Sequence, residues 1–320
     1  MSEVQIPKVV NLSVVIPCYN EEEVLPETIK RLGQLIDSMI EEQLISEESS
    51  IWFVDDGSRD KTWSLIEEAS QNTLFRGIKL SRNKGHQYAL LAGLENADGD
   101  VLVSIDADLQ DDISVIRAMV EEYYKGNDIV YGVRSERGSD TFFKRFTAES
   151  YYRVLKRFGV DVVFNHADFR LMSRRAVEAL SDYREVNLFL RGVVREIGFP
   201  STQVEYARSE RFAGESKYPL KKMLALAVDG ITSFSPVPLR MIAVLGFLVF
   251  LFSSFIAAWA LWTRLFTDQA VPGWASSVLP MYILGGIQLL SLGVIGEYIA
   301  KIFMEVKARP RYLIDKCVGL

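Results

Sequence analysis

Two long runs without Asp, Glu, Lys or Arg near the C-terminus constrain this chain more than any other feature. They cover residues 241–263 and 269–296, about 23 and about 28 residues. A helix of about 20 apolar residues is long enough to cross the hydrocarbon core of a membrane. The sequence therefore predicts a hairpin of two transmembrane helices, at about 239–263 and 276–300, within a membrane region of residues 236–304.

Basic residues flank these runs unevenly and predict the orientation of the chain. Arg240 precedes the first run, whereas the connection between the runs offers only Arg264 and Asp268. Basic residues concentrate on the cytoplasmic side of membrane proteins. Four of them follow the second run: Lys301, Lys307, Arg309 and Arg311. We therefore expect a multi-pass protein of the inner or plasma membrane, without a cleaved signal peptide, whose two termini, including a tail of residues 305–320, are cytoplasmic.

The first 235 residues alternate short apolar runs with amphipathic helical patterns. The apolar runs predict buried strands, and apolar residues at helical spacing predict a helix after each of the first three strands. Strands are predicted at residues 12–17, 51–54, 77–80, 101–105 and 128–132. This alternation is typical of a cytoplasmic α/β domain with an open, mostly parallel sheet, which binds ligands beyond the carboxyl ends of its strands.

Two further segments, residues 141–158 and 218–233, combine apolar side chains with Lys and Arg. We predict that both form amphipathic helices at the membrane surface. For the first segment the alternative is an ordinary amphipathic helix packed on the sheet. The second segment leads directly into the first apolar run, which favours a position at the membrane.

Carboxylates follow two of the predicted strands. Asp106 and Asp108 lie at the end of the fourth strand, and Gln110 lies in the same loop. Oxygen ligands together with a diphosphate suit Mg²⁺ or Mn²⁺, although a solvated turn is the alternative. Asp55 and Asp56 follow the second strand, where a carboxylate can accept hydrogen bonds from a base or from ribose hydroxyls. The alternative for this pair is a turn that caps the next helix.

Composition argues against several other kinds of site. The net charge of −6 argues against a nucleic-acid surface, because binding to a phosphate backbone needs a positive field. Cys18 and Cys317 lack metal-binding spacing and are predicted to be unpaired thiols. His86 and His166 are too few for a zinc site. For His86 we favour packing or hydrogen bonding, with contact to a nucleotide as the alternative.

Six motifs occur in order along the chain: VVIPCYNEE from Val14, VDDGSRD from Val54, SRNKGHQYALLAGL from Ser81, DADLQDD from Asp106, ADFRLMSR from Ala167 and RFAGESKY from Arg211. Together they resemble the family-two glycosyltransferases. Within this family the chain resembles the polyprenyl-phosphate glycosyltransferases of the dolichol-phosphate mannose synthase type, in particular the bacterial bactoprenol glucosyltransferases. The fourth motif ends in Asp112, where relatives often have Pro.

This resemblance implies a Rossmann-like GT-A fold and a homo-oligomeric enzyme. It implies inverting transfer of a single sugar from a nucleotide-diphosphate donor to the phosphate of a membrane polyprenol such as undecaprenyl phosphate. Glucose from UDP-glucose is the leading donor, and mannose, N-acetylglucosamine or amino-arabinose are the alternatives. A membrane scaffold without catalytic activity is the alternative from a different class.

The resemblance also assigns roles by motif position. For the nucleotide sugar it implies Pro17, Tyr19, Glu21, Asp56 and Asp106, to which the strand-end argument adds Asp55. Asp108 and Gln110 would hold Mg²⁺ or Mn²⁺ together with Asp106. The acceptor phosphate would meet Arg211, Ser216 and Lys217, assisted by Arg134. Asp168 and Asp106 are the predicted catalytic carboxylates. Since a phosphate acceptor is already anionic, Asp168 is expected either to orient it or to act as a base.

Overall fold

The structure is a computed structural model that describes residues 9–134, 166–186, 190–207, 237–266 and 274–320. The predicted interface helices at 141–158 and 218–233 lie outside these residues. Three of the predicted acceptor residues also lie outside them: Arg211, Ser216 and Lys217. Their assignments stay predictions.

Eight strands and eight helices are described in these ranges. The strands are β1 (Leu12–Cys18), β2 (Ser50–Asp55), β3 (Phe75–Leu80), β4 (Val101–Ser104), β5 (Ile129–Arg134), β6 (His166–Ser173), β7 (Ser201–Tyr206) and β8 (Ile314–Val318). The helices are α1 (Leu25–Glu41), α2 (Thr62–Ala69), α3 (His86–Asn96), α4 (Val115–Tyr124), α5 (Arg174–Ser181), α6 (Leu190–Glu196), α7 (Val237–Phe266) and α8 (Trp274–Val306).

The strands form one sheet in the order β7-β5-β6-β4-β1-β2-β3-β8. β1 pairs in parallel with β2 and β4, β2 pairs in parallel with β3, and β5 pairs in parallel with β7. β6 runs antiparallel between β4 and β5, and β8 runs antiparallel to β3. The predicted mostly parallel α/β sheet is therefore confirmed, and the five predicted strands correspond to β1–β5.

The sheet is buried where helices cover both faces. Every residue of β1 is buried, which explains why this strand reads as a continuous apolar run rather than an alternating one. α1 packs one side against the core through Leu25, Leu32 and Ile36. Gly93 allows α3 to approach β1 closely, because a Cβ at this position would clash with the side chain of Val15.

The C-terminal residues return to the sheet instead of ending as a simple tail. β8 covers the outer edge of β3, and Ser81 donates a backbone hydrogen bond to the carbonyl of Leu313 at 2.9 Å. Arg311 forms a 2.6 Å ion pair with Glu95, and its other guanidinium nitrogen donates to the carbonyl of Tyr183. The predicted tail of residues 305–320 thus contains a strand, β8, which the sequence did not indicate.

We expect Arg311→Ala to destabilise the sheet domain by about 2 kcal/mol, because the variant leaves the mostly buried Glu95 without its charged partner. For a domain of this size the melting temperature should fall by roughly 5 °C. Thermal unfolding of the purified protein measures this change. Lys316→Ala, an exposed change on β8, is the control. Equal melting temperatures for the two variants would show that the Arg311 contacts contribute nothing.

Two compact units are present, and the second contains α7 and α8. Among the described residues, the segment Leu284–Val306 of α8 is long and apolar enough to cross a membrane, with a mean hydropathy of 1.5. A shorter apolar segment, Val237–Val249, lies in α7. Large apolar side chains are exposed along both helices, for example Phe255, Trp259 and Leu289. The two helices occupy the positions where apolar helices were predicted.

Candidate active site

The predicted site residues meet at one edge of the sheet. β1, β2 and β4 are parallel neighbours, so their carboxyl ends lie at the same edge. β6 runs the opposite way beside β4, with Ser104 paired to Arg170. Two residues beyond this pair, the same antiparallel register places Asp106 opposite Asp168. The hydroxyl of Ser104 donates to the carbonyl oxygen of Asp168 at 2.5 Å, which ties the two strands together at this point.

The loops after β1 and β2 are joined by hydrogen bonds between backbone and side chains. The backbone N–H of Asn20 donates to the Ser58 hydroxyl at 3.0 Å, and the N–H of Glu21 donates to the Thr62 hydroxyl at 2.9 Å. Tyr19, beside these contacts, is 39% exposed, whereas Pro17 is buried within β1. Of these two predicted nucleotide contacts, only Tyr19 therefore offers a broad exposed surface.

Asp55 and Asp56 are both buried at the end of β2, and burial raises the pKa of each carboxyl group. Asp56 accepts hydrogen bonds from the backbone N–H groups of Lys84 (2.7 Å) and Gly85 (2.8 Å). Asp55 accepts one from the N–H of Ser58, while its buried Oδ2 has no hydrogen bond from any described residue. Asp56 therefore organises the loop before α3, and Asp55 keeps a free acceptor atom for the predicted nucleoside contact.

The loop after β4 presents several oxygen atoms. Asp108 accepts a hydrogen bond from the backbone N–H of Gln110 at 3.2 Å, and Leu109 between them has a φ of 54°. Within the described residues, Gln110 Oε1 is buried without a hydrogen bond, and the buried Asp106 Oδ1 has an ion pair with His86 at 3.4 Å but no hydrogen bond. Buried oxygens of this kind need a partner, and a divalent cation satisfies carboxylate and amide oxygens. The side-chain oxygens of Asp106, Asp108 and Gln110 therefore fit the predicted Mg²⁺ or Mn²⁺.

This loop does not form a complete metal cage from the protein alone. Within the described ranges, no group of three or more His, Cys, Asp or Glu side chains is arranged to hold an ion. Mg²⁺ sites commonly combine one or two carboxylates with oxygens of a substrate phosphate. The sparse set of protein oxygens is therefore compatible with a metal that binds together with a diphosphate.

Arg134, a predicted acceptor residue, forms an ion pair with the loop after β4. Its guanidinium lies 3.0 Å from Asp111 Oδ1, and the Tyr206 hydroxyl donates to the same oxygen at 2.6 Å. Asp111 is only 4% exposed. This contact joins the ends of β5 and β7 to the loop after β4. A role of Arg134 towards an acceptor phosphate stays a prediction.

Asp168 lies among three basic side chains. Arg170 Nη2 donates to Asp168 Oδ1 at 2.8 Å, and Arg191 contacts both carboxylate oxygens, at 3.3 and 3.1 Å. His86 Nε2 lies 3.5 Å from Asp168 Oδ2. Burial alone would raise the pKa of Asp168, but Arg191, His86 and Arg170 outweigh it and hold the pKa well below its usual range. Asp168 is therefore a charged carboxylate and a weak base.

His86 contacts a second carboxylate at the same time. The same Nε2 atom lies 3.4 Å from Asp106 Oδ1. Burial would lower the pKa of His86, but Asp168 and Asp106 raise it to about 9. Burial raises the pKa of Asp106, and His86 opposes this rise. The two carboxylates therefore favour the cationic form of the imidazole, which lies between the ends of β4 and β6.

Comparison with known proteins identifies the family of this chain. The model of "Glycosyl transferase family 2" matches residues 13–181. The chain belongs to this family. The uncharacterized glycosyltransferase YkoT of Bacillus subtilis is 53% identical over 307 residues, which cover 95% of this chain and 91% of the relative. The bactoprenol glucosyl transferase of Shigella phage SfII is 40% identical over 307 residues, which cover 95% and 97%.

Solved structures of other proteins are also similar. Glucosyl-3-phosphoglycerate synthase from Mycobacterium tuberculosis, in complex with Mn²⁺, UDP and phosphoglyceric acid, is 20% identical, with a TM-score of 0.47. The likeness covers 69% of this chain and 76% of that one. The family assignment itself rests on the sequence relatives and on the family model. The chain is thus an enzyme, a family-two glycosyltransferase with a GT-A sheet.

Three basic residues of this family-two glycosyltransferase were not predicted as site residues. They are His86, Arg170 and Arg191, which together surround Asp168. His86 and Arg170 lie inside the motifs SRNKGHQYALLAGL and ADFRLMSR, and this position could have marked them as candidate site residues. Arg191 lies on α6, outside all six motifs. Its contact depends on tertiary packing, which the sequence alone does not specify.

Proposed function

We propose that this family-two glycosyltransferase transfers one glucose from UDP-glucose to the phosphate of a membrane polyprenol of the undecaprenyl type. The observation that carries the proposal is the likeness, over nearly the whole of both chains, to a bactoprenol glucosyl transferase. This likeness includes the apolar C-terminal part as well as the sheet domain. The arrangement of carboxylates at the sheet edge supports the same reaction.

The donor side of the reaction lies at the ends of β1, β2 and β4. Asp55, Asp56, Tyr19 and Glu21 would contact the nucleoside, and Asp106, Asp108 and Gln110 would hold Mg²⁺ or Mn²⁺. When bound, such an ion stabilises the negative charge of the leaving diphosphate. The buried Oε1 of Gln110, which has no hydrogen bond within the described residues, supports this assignment.

The acceptor side lies at Asp168. Transfer forms a bond between an acceptor phosphate oxygen and the anomeric carbon of the sugar, while the bond to the diphosphate oxygen breaks and UDP leaves. A single displacement of this kind inverts the anomeric centre. The phosphate is already anionic near neutral pH and needs no strong base. The contacts of Asp168 with two arginines and a histidine support an orienting role rather than proton removal.

The path of the chain supports two membrane crossings. β7 and β8 belong to the same sheet, so the chain leaves the sheet domain after Tyr206 and returns to it at Ile314. Between these points it must cross any membrane an even number of times. If the segment Leu284–Val306 crosses once, the other apolar helix, α7, supplies the return crossing. We therefore propose a hairpin, with the sheet domain and both termini at the cytoplasmic face. The homo-oligomer implied by the family resemblance stays a prediction.

We expect Arg211→Ala or Lys217→Ala to raise the KM for the lipid acceptor by about tenfold or more, because each removes a charge-assisted contact with the phosphate. The KM for UDP-glucose should change little. Steady-state kinetics with each substrate varied in turn measures both constants. Lys125→Ala, which changes a 65% exposed side chain, is the control. Weaker nucleotide binding with an unchanged acceptor KM would refute the acceptor assignment.

A donor screen tests the proposed function. Purified full-length protein is incubated with undecaprenyl phosphate and labelled UDP-glucose, UDP-N-acetylglucosamine, GDP-mannose or an amino-arabinose donor. We expect a labelled lipid from UDP-glucose. If another donor labels the lipid, that sugar and not glucose is the one transferred. If no donor labels the lipid, the non-catalytic scaffold is favoured.

A further inference from the structure

The imidazole of His86 links the two sides of the proposed reaction. Its Nε2 atom lies 3.4 Å from Asp106 Oδ1 and 3.5 Å from Asp168 Oδ2. Asp106 follows β4, on the proposed donor side, whereas Asp168 lies on β6, on the proposed acceptor side. A single side chain thus contacts both of the predicted catalytic carboxylates.

The fold holds this imidazole in place through the loop before α3. Asp56 accepts hydrogen bonds from the N–H groups of Lys84 and Gly85, the two residues that precede His86. Gly85 has a φ of 96°, a conformation that residues with a Cβ rarely adopt. His86 then begins α3, which packs against β1 and β2. The end of β2 therefore determines where the His86 side chain lies.

Asp106 depends on this histidine more than Asp168 does. Asp168 has two further basic partners, Arg170 and Arg191. Within the described residues, His86 is the one basic side chain that forms an ion pair with Asp106. Without the imidazole, no basic side chain of the described residues would form an ion pair with Asp106, and no side chain would contact both carboxylates.

We propose that His86 is a positioning residue that holds the Asp106 carboxylate in register with Asp168, and thereby aligns the donor sugar with the acceptor phosphate. This inference rests on the proposed function. Side chains that orient a ligand-binding carboxylate typically change activity by about 10- to 100-fold when removed. The loss should fall on kcat, because the alignment of bound substrates changes while the groups that bind them remain.

The test uses His86→Ala and His86→Gln in the full-length protein with UDP-glucose and undecaprenyl phosphate. We expect His86→Ala to lower kcat by about 10- to 100-fold, with each KM within about threefold of wild type. His86→Gln should recover part of the loss, because its amide can donate to both carboxylates. Added imidazole should also increase the rate of His86→Ala. Asn96→Ala, an exposed change at the other end of α3, is the control for the helix.

The inference is overturned if His86→Ala keeps the wild-type kcat. It is also overturned if both variants lose activity equally, without rescue by imidazole and with a lowered melting temperature, since this pattern indicates a purely structural role. A wild-type protein that glycosylates no lipid phosphate would overturn the proposed function, and this inference with it. Because the wild type is assayed first, the two failures are distinguishable.

Discussion

Asp108→Asn should reduce sugar transfer by about 100-fold or more while the protein remains folded. The substitution removes one negative charge from the proposed metal site, and metal stabilisation of a leaving diphosphate contributes several kcal/mol to such reactions. The fold should tolerate the change, because Asp108 accepts a local hydrogen bond from the N–H of Gln110, and an amide oxygen can accept the same bond. Transfer rates over a series of Mg²⁺ and Mn²⁺ concentrations measure the effect.

Asp112→Asn is the matched control for this prediction. Asp112 lies four residues further along the same loop but is exposed, and its carboxylate accepts hydrogen bonds from Ser114 at the start of α4. This variant should keep activity within about twofold of wild type, because its local contact contributes to stability rather than to transfer. Full metal-dependent activity in Asp108→Asn would remove Asp108 from the metal site.

Asp168→Asn should abolish most transfer and also destabilise the sheet domain. Arg170 is 1% exposed, and its Nε and Nη1 atoms have no hydrogen-bond partner among the described residues, so Asp168 is its principal partner. Breaking a buried ion pair by changing one partner costs about 3–5 kcal/mol. Transfer should fall together with stability, because Asp168 no longer carries the charge that holds Arg191 and His86. Denaturant unfolding and transfer assays measure the two effects separately.

Two further variants separate the role of Asp168 in stability from its role in transfer. Adding Arg170→Met to Asp168→Asn removes the unpaired buried charge, so stability should recover while transfer does not. Asp128→Asn removes the charge of another buried carboxylate, which pairs with the exposed Arg175 away from the site. It should lose stability and keep kcat. An Asp168→Asn protein with wild-type kcat would show that Asp168 has no part in the reaction.

The sequence predicted the central strands of this fold because fully buried strands appear in it as continuous apolar runs. β1 and β2 are buried along their whole length and consist largely of apolar residues. β6 was missed because Asp168 and Arg170 interrupt its apolar pattern. Both are buried charged residues that compensate each other, and such a pair can be recognised only when their contact is known.

The two edge strands were missed for a different reason. β7 alternates between exposed and half-buried residues before the buried Tyr206, so it lacks the continuous apolar run that predicted the central strands. β8 has five residues, of which four are exposed, and it follows a long apolar helix. Its place in the sheet depends on pairing with β3, more than 200 residues earlier in the chain. Local sequence patterns do not indicate pairing at that distance.

Site residues that directly follow a predicted strand could be placed from the sequence. Site residues that meet only through tertiary contacts could not. Asp106 and Asp108 follow an apolar strand, so their place at the sheet edge could be predicted. The contact of His86 with Asp106 and Asp168 requires both the antiparallel position of β6 and the bent loop at Gly85. The motifs marked these residues as a group, but only the fold shows which atoms meet.

Analysis of the lipid product tests whether the protein transfers glucose to a polyprenyl phosphate. Purified full-length protein is incubated with UDP-glucose, Mg²⁺ or Mn²⁺, and either undecaprenyl phosphate or undecaprenol, and the lipids are examined by mass spectrometry while released UDP is measured. We expect one hexose added per undecaprenyl phosphate, one UDP released per product, and no product from undecaprenol. Glycosylation of undecaprenol at the same rate, or UDP release without a lipid-linked sugar, would contradict it.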